Sequence, residues 1–337
     1  MSDRRAHPRP YFFEILAVAN LLLISALASR HGLAIIRSIP STVLFVGGPL
    51  LGQLAGGVIV RSIAAATRGQ MRAYLRRLTT AGWLSDTARV LVFGIVLVDV
   101  YGWIKLTIQV IHPHLMDRQL WDLDRALFFG LQPNIFFLSL FSPHAVLRTF
   151  DWTYGNIFLA SMFVAFGFFL SSPSRRLRIG FLASIGLLWM AGAWLYVLVP
   201  SLGPAYYFPD IWFGYSDSLS ITQRLQSALM RNYQNFIRIR AGSSDASVNL
   251  LWGIAAFPSL HVAFQLLVFF WFRRLWLSGQ VIFAIFLLMI FLGSVITGWH
   301  YLVDSYAGLL LGFATYWPVA RAYRIDEWAR LRRALSR

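Results

Sequence analysis

Two histidines and an aspartate, each in a compact polar cluster beside long apolar runs, are the residues of this 337-residue chain best placed to do chemistry. They are His261, at the end of Phe257-Pro258-Ser259-Leu260, and His300 with Asp304, in the run GWHYLVD from Gly298. His300 and Asp304 are spaced i,i+4, so on a helix they share one face and the carboxylate can bond one imidazole nitrogen. That bond fixes the tautomer and leaves the other nitrogen free as a nucleophile. The 38 residues between the two histidines hold the Arg273-Arg274 turn and enough apolar chain for two membrane passes of about 20 residues each. Both imidazoles then return to the same membrane face.

The elements that must position them are membrane helices. The chain is 58% hydrophobic and 13% charged, a balance that fits neither an ordinary soluble domain nor a disordered chain. Eight stretches approach the length of a span, near 11–29, 41–60, 88–110, 152–171, 178–199, 259–272, 279–298 and 302–320. The expectation is an all-α integral membrane protein of about eight helices. Residues 1–86 read as a two-helix extension with an Arg-rich loop, 87–320 as a six-helix catalytic domain, and 321–337 as a basic tail. MSDRRAHPRP and its apolar run read as a retained first helix, because no cleavage-like site with a polar sequence follows.

The net charge of +16 is almost all arginine, Lys105 being the single lysine. Interleaving of the basic residues with apolar runs points to membrane topology and away from nucleic acid. With the N-terminus inside, 20 of the 30 basic residues fall on the inner side. This places both termini in the cytoplasm, the segments 112–149 and 200–258 outside, and the protein in the cell inner membrane. There is no cysteine, which excludes disulfides, thiolate nucleophiles and Cys-ligated metals. Asp117, Trp121 and Asp124 share a face of a short interfacial helix. Gly48, Gly52 and Gly56 form a small-residue ladder that reads as close helix packing. Asp99, inside the third span, calls for a structural partner. Tyr206, Tyr207 and Phe208 read as an interfacial aromatic belt, and Ala322–Arg337 as a surface-lying anchor.

The runs PSLHVAF and GWHYLVDSYAGLLLG resemble the second and third signature motifs of the phosphatidic-acid phosphatase type 2 superfamily, specifically its inositol phosphorylceramide synthase and sphingomyelin synthase-like branch. DRQLWDLDRALFFGLQP and SLGPAYYF are also similar to segments of that branch, and the resemblance covers about 88–320. It implies that His300 attacks phosphorus to give a phosphohistidine and that Asp304 orients and stabilises it. It further implies that His261 protonates the leaving oxygen and later deprotonates the acceptor. Ser259 and the start of its helix are expected to donate hydrogen bonds to phosphate oxygens. Leu260 stands where the family's phosphatases carry Gly, and Ser294 where they carry an Arg six residues before the nucleophile. No first motif ending in Arg-Pro follows Lys105. Phosphate charge is therefore assigned to Arg231, Arg238 and Arg240, with Arg118 and Arg125 behind them.

The expected function is transfer of a phosphoryl-linked head group from a lipid phosphate to a lipid alcohol at the outer face. A lipid phosphate phosphatase, with water as acceptor, is the alternative within the same chemistry. An inactive lipid-binding or transport protein is the alternative of another class. No cofactor or metal is expected. His261, His300 and Asp304 offer too few ligands for a metal site, and His112, His114 and His144 show no ligand spacing.

Overall fold

A computed structural model of the chain describes residues 11–32, 42–242, 247–275 and 277–325. Long apolar runs form helices because only intrahelical hydrogen bonds satisfy the backbone where no water is present. In chain order the helices are α1 (Phe12–Arg30), α2 (Val43–Ala66, opening with a π-turn), α3 (Met71–Leu78), α4 (Ala81–Ile111) and α5 (Asp117–Leu127). Next come α6 (Pro133–Leu140), α7 (His144–Leu170), α8 (Arg175–Leu198), α9 (Pro204–Tyr207) and α10 (Asp210–Phe213). The last four are α11 (Ser220–Arg240), α12 (Leu260–Leu275), α13 (Leu277–Ile296) and α14 (Leu302–Ala322). No strand occurs among the described residues.

Six helices are long and apolar enough to cross a membrane: α1, α2, α4, α7, α8 and the Gly279–Ile296 part of α13. The other two expected spans are helical as well. Within α12 the apolar helix Leu260–Arg273 is shorter, and the 21-residue α14 is not among the six. Local signals set several boundaries. The Thr80 hydroxyl accepts from the Trp83 amide at the start of α4. His112-Pro113 ends α4, since the residue before proline is driven out of the helical region. Prolines sit in the first turns of α6 and α9.

Helix α12 packs against α13 and α14, α4 against α8, α2 against α7, and α1 against both α4 and α8. The expected structural partner of Asp99 is Thr42, whose hydroxyl donates to the carboxylate at 2.6 Å and ties the entry of α2 to α4. The expected glycine ladder does not pack. A side chain at Gly48, Gly52 or Gly56 would meet nothing within 4 Å. The close approach is made one residue on, where Gly57 lies against the Gly167 carbonyl so tightly that a Cβ on Gly57 would overlap it. The stretch 112–149 holds the expected short helix as α5, and 200–258 holds α9, α10 and α11. Of the expected anchor Ala322–Arg337, residues 326–337 lie outside the described residues.

Candidate active site

The chain between α13 and α14 turns sharply at Gly298, with φ of +75°. A Cβ there would come within 2.6 Å of the Trp212 ring, so position 298 needs glycine for both its dihedral and its space. The turn delivers His300, whose amide donates to the Ser294 carbonyl at 3.0 Å. Its own carbonyl accepts from Asn134 Nδ2 on α6 at 3.0 Å, and the same Asn134 nitrogen holds the Val295 carbonyl at 2.8 Å. His300 is thus clamped by its main chain before its ring does anything.

The ring is 3% exposed, and its Nδ1 lies 2.9 Å from the Ala256 carbonyl oxygen. A carbonyl oxygen only accepts, so Nδ1 carries the proton and Nε2 keeps its lone pair. Asp304 Oδ2 is 3.5 Å from the same nitrogen, beyond a good hydrogen bond, and instead accepts from the Tyr301 amide at 2.9 Å. The spacing i,i+4 does bring carboxylate and imidazole to one face. The tautomer, however, is set by a main-chain carbonyl, and Asp304 closes the first turn of α14. Burial, opposed by the Ala256 hydrogen bond and aided by the charge of Lys105, pushes the His300 pKa down to about 3. The ring is therefore neutral at pH 7.

His261, in the first turn of α12, faces His300 with ring centroids 6.0 Å apart. Its other flank is aromatic, with Phe158 at 4.2 Å and Tyr154 at 5.2 Å. Ser259 is fully buried and stitches the two motifs together. Its amide donates to the Asp304 carbonyl at 2.9 Å, and its hydroxyl caps the Val262 amide at 3.5 Å.

Arg231, Arg238 and Arg240 on α11 are exposed, and nothing among the described residues ties them to either histidine. Arg118 is exposed and pairs with Asp122 at 3.0 Å, while Arg125 Nε donates to the Gly130 carbonyl. The charge that adds to the lowering at His300 is that of Lys105 on α4. Its Nζ lies 5.9 Å from the Tyr101 ring and 5.7 Å from that of Tyr196, and Gly253 packs on its main chain. Ser294, where the family's phosphatases have arginine, is buried and bonds Ser305 Oγ at 2.9 Å, joining α13 to α14.

Helix α5 holds the roof. Asp117 is fully buried and accepts from the amides of Leu202 and Gly203 and from the Tyr301 hydroxyl, each within 3.1 Å. Asp124 accepts from the amides of Leu302 (2.6 Å) and Val303 (2.7 Å), the first residues of α14. Burial raises both carboxyls against these hydrogen bonds, Asp124 to about 7. Phe208 lies on Trp121 at 4.3 Å and Tyr206 against Trp299 at 6.1 Å, so the 206–208 run is not all a belt facing lipid. Among the described residues no three His, Asp or Glu side chains are grouped so as to hold a metal ion.

Two imidazoles thus face each other where two returning apolar helices meet. The sequence profile of the PAP2 superfamily matches residues 118–318, which include Ser259, His261, His300 and Asp304. The chain belongs to the PAP2 superfamily. Its members are phosphatases or phosphotransferases, and this PAP2 protein is accordingly an integral membrane enzyme acting on phosphates. The match begins after Lys105 and after the first three spans. No curated protein and no solved structure matches the chain.

Proposed function

We propose that the enzyme moves a phosphoryl-linked head group from a lipid phosphate donor to a lipid alcohol through a phosphohistidine on His300. The observation that carries this reading is the pair of imidazoles 6.0 Å apart, one with its Nδ1 proton held by the Ala256 carbonyl and its Nε2 lone pair free. In the first step Nε2 bonds phosphorus as the bond from phosphorus to the leaving lipid oxygen breaks, and His261 gives that oxygen a proton. In the second step His261 takes the proton of the acceptor hydroxyl. The acceptor oxygen bonds phosphorus as the phosphorus–nitrogen bond breaks, and both histidines return to their starting states. Proton transfer of this kind is worth about 10²- to 10⁴-fold in rate.

Lys105 offsets the charge gathering on the non-bridging oxygens, and the Ser259 hydroxyl and the Leu260 and His261 amides at the start of α12 donate to them. Asp304, Asn134, Asp117 and Asp124 position the main chain that carries His300. The exposed Arg231, Arg238 and Arg240 have no part in the transfer step. The burial of His300, with Trp121 packed on the adjacent Tyr301, favours a lipid alcohol over water as acceptor, which agrees with the likeness of DRQLWDLDRALFFGLQP and SLGPAYYF to the synthase branch. The distribution of basic residues supports a site on the extracytoplasmic face with both termini in the cytoplasm.

Purified protein in vesicles with a labelled lipid phosphate, with and without added lipid alcohols, tests the proposal. A labelled lipid product that appears only with the alcohol supports transfer. Release of free phosphate alone rejects the transferase in favour of a phosphatase.

A further inference from the structure

Helices α2 and α7 run side by side, touch at Gly57 and Gly167, and part toward the active-site end. The gap between them, floored by α4 and α8, is a cavity of about 460 Å³, within the range of ligand pockets. Its walls include Phe45, Leu50, Gly94, Val98, Met162 and Trp189, and it is apolar but for Gln53 near the closed end and Tyr101 at the other. From Val90 to Tyr101 it follows α4 for about 16 Å at 1.5 Å per residue. That is about half of a hydrocarbon core of roughly 30 Å, the depth of one leaflet.

The cleft leads to the chemistry. Tyr101 closes it and lies 5.9 Å from Lys105 Nζ, one helical turn further along α4. On α7 the neighbours Phe158 and Leu159 divide, Phe158 packing on His261 and Leu159 lining the cleft. Leu251 covers the upper end, two residues before the Gly253 that rests on Lys105. On the open side Phe45, Leu159 and Phe163 are exposed, which in a bilayer means exposed to lipid.

We infer that this cleft is an acyl-chain subsite, holding one hydrocarbon tail of the lipid whose phosphate lies beside Lys105 and His300. The assignment of the head group rests on the phosphotransfer reading; the fit of a tail does not. Three features select a tail of the substrate over any other occupant: a depth of one leaflet, a mouth beside the phosphate cation, and an open flank facing the lipid phase. Helix α2, which lies outside the superfamily match, then has a task, since it supplies one wall of the cleft.

The test uses the full chain in phosphatidylcholine vesicles, with phosphatidic acid carrying a photoreactive diazirine at mid-chain as the probe. In the turnover-deficient His300→Ala protein, label is expected on peptides bearing Leu50, Gly94 or Met162, and unlabelled phosphatidic acid competes it away. Gly94→Phe fills the cleft, since a Cβ at Gly94 points toward Leu50 Cδ1 at 3.8 Å, and should cut that label about tenfold. Val98→Trp, one turn along, should reproduce the loss. Label spread evenly over the outward-facing Leu22, Ile59 and Leu288, or unchanged in both variants, overturns the subsite. With His300 intact, Gly94→Phe should raise KM for a long-chain lipid phosphate about tenfold while sparing a short-chain one. Equal loss on both substrates also overturns it. Cleft labelling with no turnover of either substrate by the parent protein leaves the subsite standing and rejects the phosphotransfer reading.

Discussion

At the far end of the bundle, Glu14 and Asp86 are met by arginines: Glu14 by Arg89, and Asp86 by the exposed Arg175 and the buried Arg178. At the active-site end, Asp117, Asp124 and Asp304 are met by backbone amides and by one tyrosine hydroxyl. The same side-chain chemistry does two jobs. Ion pairs at the far end lock α1, α4 and α8 together and neutralise charge that would be costly near a membrane. Amide-bound carboxylates at the site end fix the course of the main chain around His300 while using up no cation. This leaves Lys105 without a carboxylate partner among the described residues, and a lysine in that condition is suited to an anionic substrate.

Substitutions at the two ends sharpen the contrast. The largest effect is expected from His300→Ala, which removes the nitrogen proposed to attack phosphorus and should abolish turnover in the lipid-transfer assay, with His261→Ala nearly as severe, a loss of about 10²- to 10⁴-fold. Persistent lipid movement without chemistry in His300→Ala would instead mark a transporter. Lys105→Met should lower kcat/KM by about two orders of magnitude, near 2.7 kcal/mol of transition-state stabilisation, with thermal stability unchanged or raised.

Arg178→Met tests the other end. It leaves the buried Asp86 with only its exposed partner and should destabilise the fold by about 3 kcal/mol in detergent melts, while kcat of the surviving folded enzyme stays near that of the parent. A kcat loss as large as that of Lys105→Met would show that the two ends are not separate in function.

Asp124→Asn should show as a change in pH profile. The carboxyl is raised from 3.8 to about 7, chiefly by burial. Between about pH 4 and pH 7 the folded chain therefore keeps a proton that the unfolded chain has released. Its contribution to stability falls as pH rises through that window, and Asn should remove this slope. Ionised Asp124 is the better acceptor for the Leu302 and Val303 amides, so activity of the parent should fall as pH drops below about 7 and that of Asp124→Asn should be flatter there. The smallest effects are expected from Arg231→Ala, Arg238→Ala and Arg240→Ala. As exposed residues each should alter kcat by less than about twofold, within the usual range for surface substitutions.

Much of this was legible in the residues. The meeting of His261 and His300 follows from helix length: 38 intervening residues are used up by two passes, so the rings must return to one level. The short helix bearing Asp117 and Asp124 was visible from its spacing. Its role was not, because the partners are main-chain amides at 202–203 and 302–303, which leave no mark on side-chain pattern. For the same reason Ala256 could not be foreseen as the group that sets the His300 tautomer. Lys105 sits outside the expected motif, and its neighbourhood comes from the packing of the 247–258 segment on α4, where Leu250 meets Gly102 and Gly253 meets Lys105. The glycine ladder misled because periodicity shows that a helix has a smooth stripe, not whether a neighbour fills it. Gly57, one position off the ladder, makes the contact.

The carbonyl of Ala256 has a regiochemical consequence. With Nδ1 protonated and turned to that oxygen, a phosphoryl group trapped on His300 can be attached only at Nε2, giving the tele isomer and never the pros isomer. Phosphorus–proton couplings in a quenched digest distinguish the two.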